Sequence, residues 1–168
     1  GEGGVGKTRL ALATGYALLE MSASSGDDAP FADGVWFVSL AGVEARDPTN
    51  PVDPLAFAIA GVFSLPFLQM DLPPSAVLID FLRSKELLLI LDNFEHLLAG
   101  APFLLELLAK ASSVRILVTS RAPLDCQAEQ LMALQGLPVP DVEETDSLRF
   151  ASVQLFVERA STGPPYPP

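Results

Sequence analysis

The sequence predicts an α/β fold in which helices cover a parallel sheet. Short apolar runs typical of buried strands alternate with helical patterns along the 168 residues. Residues 87–91 (LLLIL) are apolar on both faces, as central strands of parallel sheets are. The two helical patterns before this run make a connection long enough to cross over a sheet, which parallel strands require.

The elements of the first half can be assigned from their periodicity. Residues 7–21 predict a helix that is apolar on two faces, which indicates burial against a sheet. Residues 35–40 (VWFVSL) predict an interior strand. Helices are predicted at residues 55–63 and 75–83, with Pro54 in the first turn of the former.

The second half continues the alternation of strands and helices. The predicted elements are a strand at 87–91, a helix at 104–111, strands at 114–118 and 130–134 (QLMAL), and a helix at 147–160. Residues 163–168 (GPPYPP) predict a disordered tail. The length is that of one ordinary domain, which we place at residues 1–162.

Composition excludes several classes of partner. The formal net charge of −11 argues against direct binding of DNA or an anionic membrane, since both need clustered Lys and Arg. The longest apolar run, residues 55–68, is interrupted and too short to span a bilayer. Cys126 is the only cysteine, so an internal disulfide is excluded and a cytoplasmic location is expected.

Residues 1–8 (GEGGVGKT) fit the phosphate-binding pattern G-x-x-x-x-G-K-[S/T] at every fixed position. We call residues 1–6 the glycine-rich loop. Its glycines can adopt left-handed conformations, which turn successive N–H groups inward around a phosphate. Lys7 would meet the outer phosphates, and the hydroxyl of Thr8 would complete a Mg²⁺ shell. The other interpretation is a glycine-rich turn that only caps a helix.

Two further groups are predicted at the same edge of the sheet. Asp92 follows the strand at 87–91, and residues 119–121 follow the strand at 114–118. Because ligands of open α/β sheets bind beyond the carboxyl ends of the strands, we expect Asp92 to hold Mg²⁺ directly or through water. Arg121 would sense or stabilise a γ-phosphate. The alternatives are an unpaired surface carboxylate and a solvated arginine.

Four motifs carry a resemblance to a known family. GEGGVGKTRLALA, LLLILDNFEHL, ILVTSR and SVQLFVERA resemble the nucleotide-binding domain of STAND ATPases. Within that class the chain is most similar to the NB-ARC-like modules of large bacterial transcriptional regulators, which often carry LuxR-type or SARP-type DNA-binding domains. The motifs stand in the same order and span nearly the whole chain.

The resemblance implies a P-loop NTPase three-layer sandwich with strand order 5-1-4-3-2. Nothing precedes Gly1 in the sequence, so the first strand of that order is expected to be absent. It would lie between the strands predicted at 130–134 and 114–118. The resemblance therefore implies a domain truncated at both ends, without the helical and winged-helix subdomains that close over the nucleotide.

The resemblance also implies the ligands and their residues. ATP or ADP would be bound by the residues of the first motif, namely Gly1, Gly3, Gly4, Val5, Gly6, Lys7, Thr8 and Arg9. Thr8 and Asp92 would hold Mg²⁺, Arg121 would contact the γ-phosphate, and Pro138 would pack near the adenine. Many P-loop ATPases place Glu after the metal-binding Asp, whereas this chain has Asn93. Glu95 could substitute as the base, and slow hydrolysis is expected.

The leading hypothesis is an ATP/ADP switch module with slow hydrolysis, from a multidomain signalling or transcription regulator. Its catalytic residues would be Lys7, Asp92, Arg121 and Glu95. Its partners would be other domains of the regulator, and a nucleotide-dependent oligomer is among the expected assemblies. The alternatives are a P-loop kinase of a small molecule and an interaction scaffold that binds no nucleotide.

Overall fold

The computed structural model describes residues 2–26, 29–43, 50–65, 72–141 and 146–162. Gly1 and the predicted tail at 163–168 lie outside the described residues. Within the described ranges the chain forms, in order, α1 (Lys7–Ser25), β1 (Val35–Ser39), α2 (Val52–Val62), α3 (Pro74–Leu82), β2 (Leu88–Asp92), α4 (Ala101–Lys110), β3 (Arg115–Val118) and α5 (Ala151–Thr162). Short 3-10 turns occupy 94–96, 98–100 and 147–149. None of the described helices is long and apolar enough to cross a membrane.

The three strands form one parallel sheet in the order β1-β2-β3. The central strand, β2, is buried along its whole length, as its continuous apolar sequence predicts. The predicted α/β class with a parallel sheet is therefore confirmed. The order also agrees with the one that the resemblance implied for these three strands.

The two faces of the sheet follow the alternation of side chains along the strands. Leu89 and Leu91 lie in the main hydrophobic core, together with buried residues of α2, α3 and α4. Leu88 and Ile90 belong to a second, smaller core with Ala11 of α1. Helices therefore cover both faces of the sheet, and most of the core lies on the face away from α1.

The expectation that α1 is buried on two faces was wrong. Only Ala11 and Gly15 of this helix are buried, whereas Tyr16 and Met21 are 67% and 56% exposed. The two small residues are four positions apart, so they form one narrow stripe against a narrow sheet. A Cβ at Gly15 would lie 2.9 Å from the Ile90 Cδ1 atom, so a larger residue here would force the end of the Ile90 side chain to shift.

The prediction of a strand at 130–134 was also wrong, because these residues have no regular secondary structure. Leu131 and Met132 are 71% and 77% exposed. A strand needs a neighbour that accepts its backbone hydrogen bonds, and a pleated apolar run cannot supply one by itself. Among the described residues no strand pairs with this segment.

Candidate functional site

The glycine-rich loop leads directly into α1. Gly4 and Gly6 have φ angles of 81° and 93°, in the left-handed region that favours glycine. A Cβ at either position would meet nothing within 4 Å, so the backbone conformation and not crowding requires glycine here. The Gly6 carbonyl accepts the N–H of Leu10 at 2.9 Å, which begins the helix at the loop.

Positive charge gathers where the loop meets the helix. The first turn of α1 holds no acidic residue, and no side chain caps its N-terminal amides. Those amides and the helix dipole therefore leave partial positive charge at the loop. Lys7 adds a full charge, and its Nζ donates to the Glu2 carbonyl at 2.6 Å, so that the side chain reaches back across the loop. This arrangement suits an anion.

Asp92 ends β2 beside the start of α1. Its side chain is largely buried, and its Oδ1 atom accepts two hydrogen bonds. One comes from the Thr8 hydroxyl at 2.7 Å and the other from the Thr119 hydroxyl at 2.6 Å. The structure thus brings together Thr8 and Asp92, which are 84 residues apart in the chain.

Thr119 was predicted at this edge with residues 120 and 121, but no role was predicted for its hydroxyl. It is 7% exposed, follows β3, and donates its hydroxyl proton to Asp92 while accepting the N–H of Asn93 at 3.1 Å. The signal was its position, since it is a polar residue directly after the strand β3 at the predicted edge. Asn93 has a φ of 70°, a left-handed conformation that Asn tolerates better than most residues.

Arg121 and Glu95 form an ion pair, with the Arg121 Nε atom 3.0 Å from Glu95 Oε1. The guanidinium lies next to the loop, because a Cβ at Gly3 would be 3.6 Å from its central carbon. The acid side chain is 21% exposed and the arginine side chain 67%. The structure therefore places Arg121 beside the loop and pairs it with Glu95.

The other predicted residues differ in where they lie. Val5 is half-buried in the loop, and Arg9 is exposed on the first turn of α1. Gly1 lies outside the described residues. Pro138 lies on the exposed irregular segment after β3, and its carbonyl accepts the Ser152 hydroxyl of α5 at 2.6 Å. That contact ties Pro138 to α5.

The donor set at Asp92 consists of oxygen atoms. Across the ranges described, no group of three or more His, Cys, Asp or Glu residues could hold a metal. Thr8 and Asp92 supply a hydroxyl and a carboxylate. Mg²⁺ is usually bound through one or two carboxylates, waters and the phosphates of a substrate. The two residues therefore suit a Mg²⁺ ion that arrives with a phosphate ligand.

A cavity of about 840 Å³ adjoins the site. It lies between α1, α4, β3 and residues 119–134, and its wall includes Leu10, Leu117 and Leu131. Lys7 and Arg121 contribute to the same wall. Its flanking elements include β3 and the irregular segment 130–134.

Together, the fold and the site define an α/β domain whose glycine-rich loop and strand-end carboxylate meet at the carboxyl edge of a parallel sheet. No family model matches the chain, and no solved structure matches it significantly. It is 33% identical over 165 residues to provisionally named HTH-type transcriptional regulators of Mycobacterium bovis and of two Mycobacterium tuberculosis strains. The match covers 96% of this chain and 15% of each relative, so the chain spans about 15% of their length.

Proposed function

We propose that the chain is a nucleotide-binding module of P-loop NTPase type within a transcriptional regulator. It binds ATP and ADP with Mg²⁺, hydrolyses ATP slowly and acts as a switch. The observation that carries the proposal is the 2.7 Å hydrogen bond from the Thr8 hydroxyl to Asp92. This bond joins the end of the glycine-rich loop to the carboxyl end of β2, where a metal-bound phosphate would need both groups.

Each residue of the site has a distinct electrostatic role in this proposal. The loop amides and the Lys7 ammonium bind the phosphates, and the N-terminus of α1 directs its partial positive charge at them. Thr8 and Asp92 hold Mg²⁺, which when bound neutralises charge on the phosphate oxygens. Because two hydroxyls bond to one oxygen of Asp92, the orientation of its carboxylate is fixed.

The groups near Asp92 favour slow hydrolysis. The amide of Asn93 cannot accept a proton from an attacking water. Glu95, the substitute base of the sequence analysis, is engaged by Arg121 in an ion pair. A slow enzyme suits a switch, because each nucleotide state lasts long enough to be read. Moving a population from 1:99 to 99:1 takes a difference of about 5.5 kcal/mol in affinity for the two conformations.

The regulator context suggests the partners. The relatives are named as HTH-type regulators, so other domains of such a protein would receive the switch signal. DNA contact would fall to those domains, because this chain carries a net charge of −11. A nucleotide-dependent oligomer and a cytoplasmic location accord with this proposal.

The test is equilibrium binding of Mg-ATP and Mg-ADP to the full-length protein and its Lys7→Ala variant. Charged hydrogen bonds contribute about 1.5–3 kcal/mol, so the variant is expected to bind ATP roughly 10- to 150-fold more weakly. Lys110→Ala is the matched control, because Lys110 is an exposed lysine paired with Glu106 on α4. Its affinity should equal that of the unaltered protein.

Other outcomes would favour the other hypotheses. Unchanged ATP affinity in Lys7→Ala would contradict the proposed site. Transfer of phosphate to a small acceptor faster than to water would indicate a kinase. Absence of any nucleotide binding by the unaltered protein would favour an interaction scaffold.

A further inference from the structure

The segments that carry Glu95 and Arg121 are held together by backbone contacts at the carboxyl edge of the sheet. Glu95 lies in the 3-10 turn Phe94–His96 directly after β2. The turn is anchored by Phe94, whose side chain is fully buried and whose N–H donates to the Thr119 carbonyl at 3.0 Å. Arg121 lies two residues after Thr119. This backbone contact therefore keeps the Glu95 carboxylate and the Arg121 guanidinium close enough to pair.

The two side chains differ in how freely they can move. That of Glu95 is only 21% exposed and extends from the anchored turn, whereas that of Arg121 is 67% exposed. The guanidinium also lies against the glycine-rich loop at Gly3. A terminal phosphate in the loop would present oxygens to the same guanidinium, which binds carboxylates and phosphates with the same planar geometry.

We propose that Glu95 sets the preference between nucleoside triphosphate and diphosphate by competing with the terminal phosphate for Arg121. This inference rests on the proposed nucleotide site and assigns a specificity-determining role within it. With a diphosphate bound, Arg121 stays paired with Glu95. With a triphosphate bound, Arg121 leaves the Glu95 carboxylate and binds the terminal phosphate. Because the ion pair is lost, the triphosphate gains less affinity over the diphosphate than the contact with Arg121 alone would give.

The test measures dissociation constants for ATPγS and ADP in the full-length protein and in Glu95→Gln, Arg121→Ala and the double variant. An exposed ion pair is worth up to about 1 kcal/mol, so Glu95→Gln should raise the preference for ATPγS over ADP by about 2- to 5-fold. In the Arg121→Ala background, Glu95→Gln should leave the preference unchanged. Glu106→Gln, which removes a carboxylate paired with Lys110 on α4, controls for net charge.

Each remaining result overturns the inference. An equal effect of Glu95→Gln with and without Arg121 would show general repulsion of phosphates. An unchanged preference combined with slower hydrolysis at saturating ATP would make Glu95 a catalytic base instead. If the unaltered protein binds neither nucleotide, the proposed function fails and this inference fails with it. Thermal unfolding midpoints close to that of the unaltered protein confirm that the variants are folded.

Discussion

One hydroxyl organises the polar centre of the site. Thr119 is nearly fully buried, and its hydroxyl donates to Asp92 and accepts from the backbone of Asn93. The two bonds link the ends of β2 and β3 and orient the carboxylate toward Thr8. Because a hydroxyl is both donor and acceptor, neither a carboxylate nor an aliphatic side chain could make both bonds.

Thr119→Val is expected to destabilise the fold. Valine keeps the shape but leaves the partly buried N–H of Asn93 without its acceptor, which costs about 1 kcal/mol in the free energy of unfolding. Thr119→Ser keeps the hydroxyl and loses one buried methyl group, worth about 0.8 kcal/mol. Chemical denaturation measures both variants. A serine variant at least as unstable as the valine variant would show that the methyl group matters more than the hydroxyl.

At the scale of elements, local pattern predicted most of the structure. The apolar run of β2 and the helical spacing of α2 and α3 are local properties, and the observed elements lie close to their predicted positions. Residues 130–134 have an equally good local pattern and form no strand. A strand depends on a partner distant in sequence, and local pattern carries no information about that partner.

The residues of the polar site also differ in how far local sequence could predict them. The glycine-rich loop and Asp92 were predictable, because motif spacing and strand ends fix their positions. The pairing of Glu95 with Arg121 was not, because it depends on how the turn after β2 packs on the segment after β3. The exposure of α1 was missed for a related reason, since periodicity shows a helix face without showing what covers it.

The turns before β1 and β2 are joined by a polar clamp. Asp33 accepts hydrogen bonds from Lys85 Nζ at 2.8 Å and from the N–H of Glu86 at 2.9 Å. The Asp33 N–H donates to the Glu86 carbonyl at 2.9 Å. The bond from Lys85, followed by that from Glu86, lowers the pKa of Asp33 below its ordinary value.

Asp33→Asn is expected to make stability less dependent on pH. A carboxylate with a lowered folded-state pKa stabilises the fold above its unfolded pKa of about 3.9, and that contribution is lost as pH falls through the folded pKa. At pH 7 the variant should lose about 1 kcal/mol of unfolding free energy, and the difference should disappear in acid. Asp80→Asn is the control, because its 3.6 Å pair with Arg83 is exposed. Denaturation across pH measures both, and a difference that persists below the folded pKa would contradict the clamp.

At the scale of the whole molecule, the site depends on the carboxyl edge of the sheet more than on the number of strands. Three parallel strands are enough to bring the ends of β2 and β3 beside the start of α1. Helices cover both faces, but the smaller core under α1 leaves much of that helix exposed. The relatives are much longer than this chain, so its surfaces belong to a larger assembly of domains in our proposal.

The most direct test of a shared metal-phosphate site is the Mg²⁺ dependence of ATP binding in the full-length protein and its Thr8→Val variant. Removing Mg²⁺ should weaken binding to the unaltered protein by about tenfold or more, equivalent to at least 1.4 kcal/mol. In Thr8→Val the effect of Mg²⁺ should be much smaller. Thr14→Val is the matched control, because the Thr14 hydroxyl donates within α1, to the Leu10 carbonyl at 2.9 Å. Equal Mg²⁺ dependence in the two variants would contradict the account.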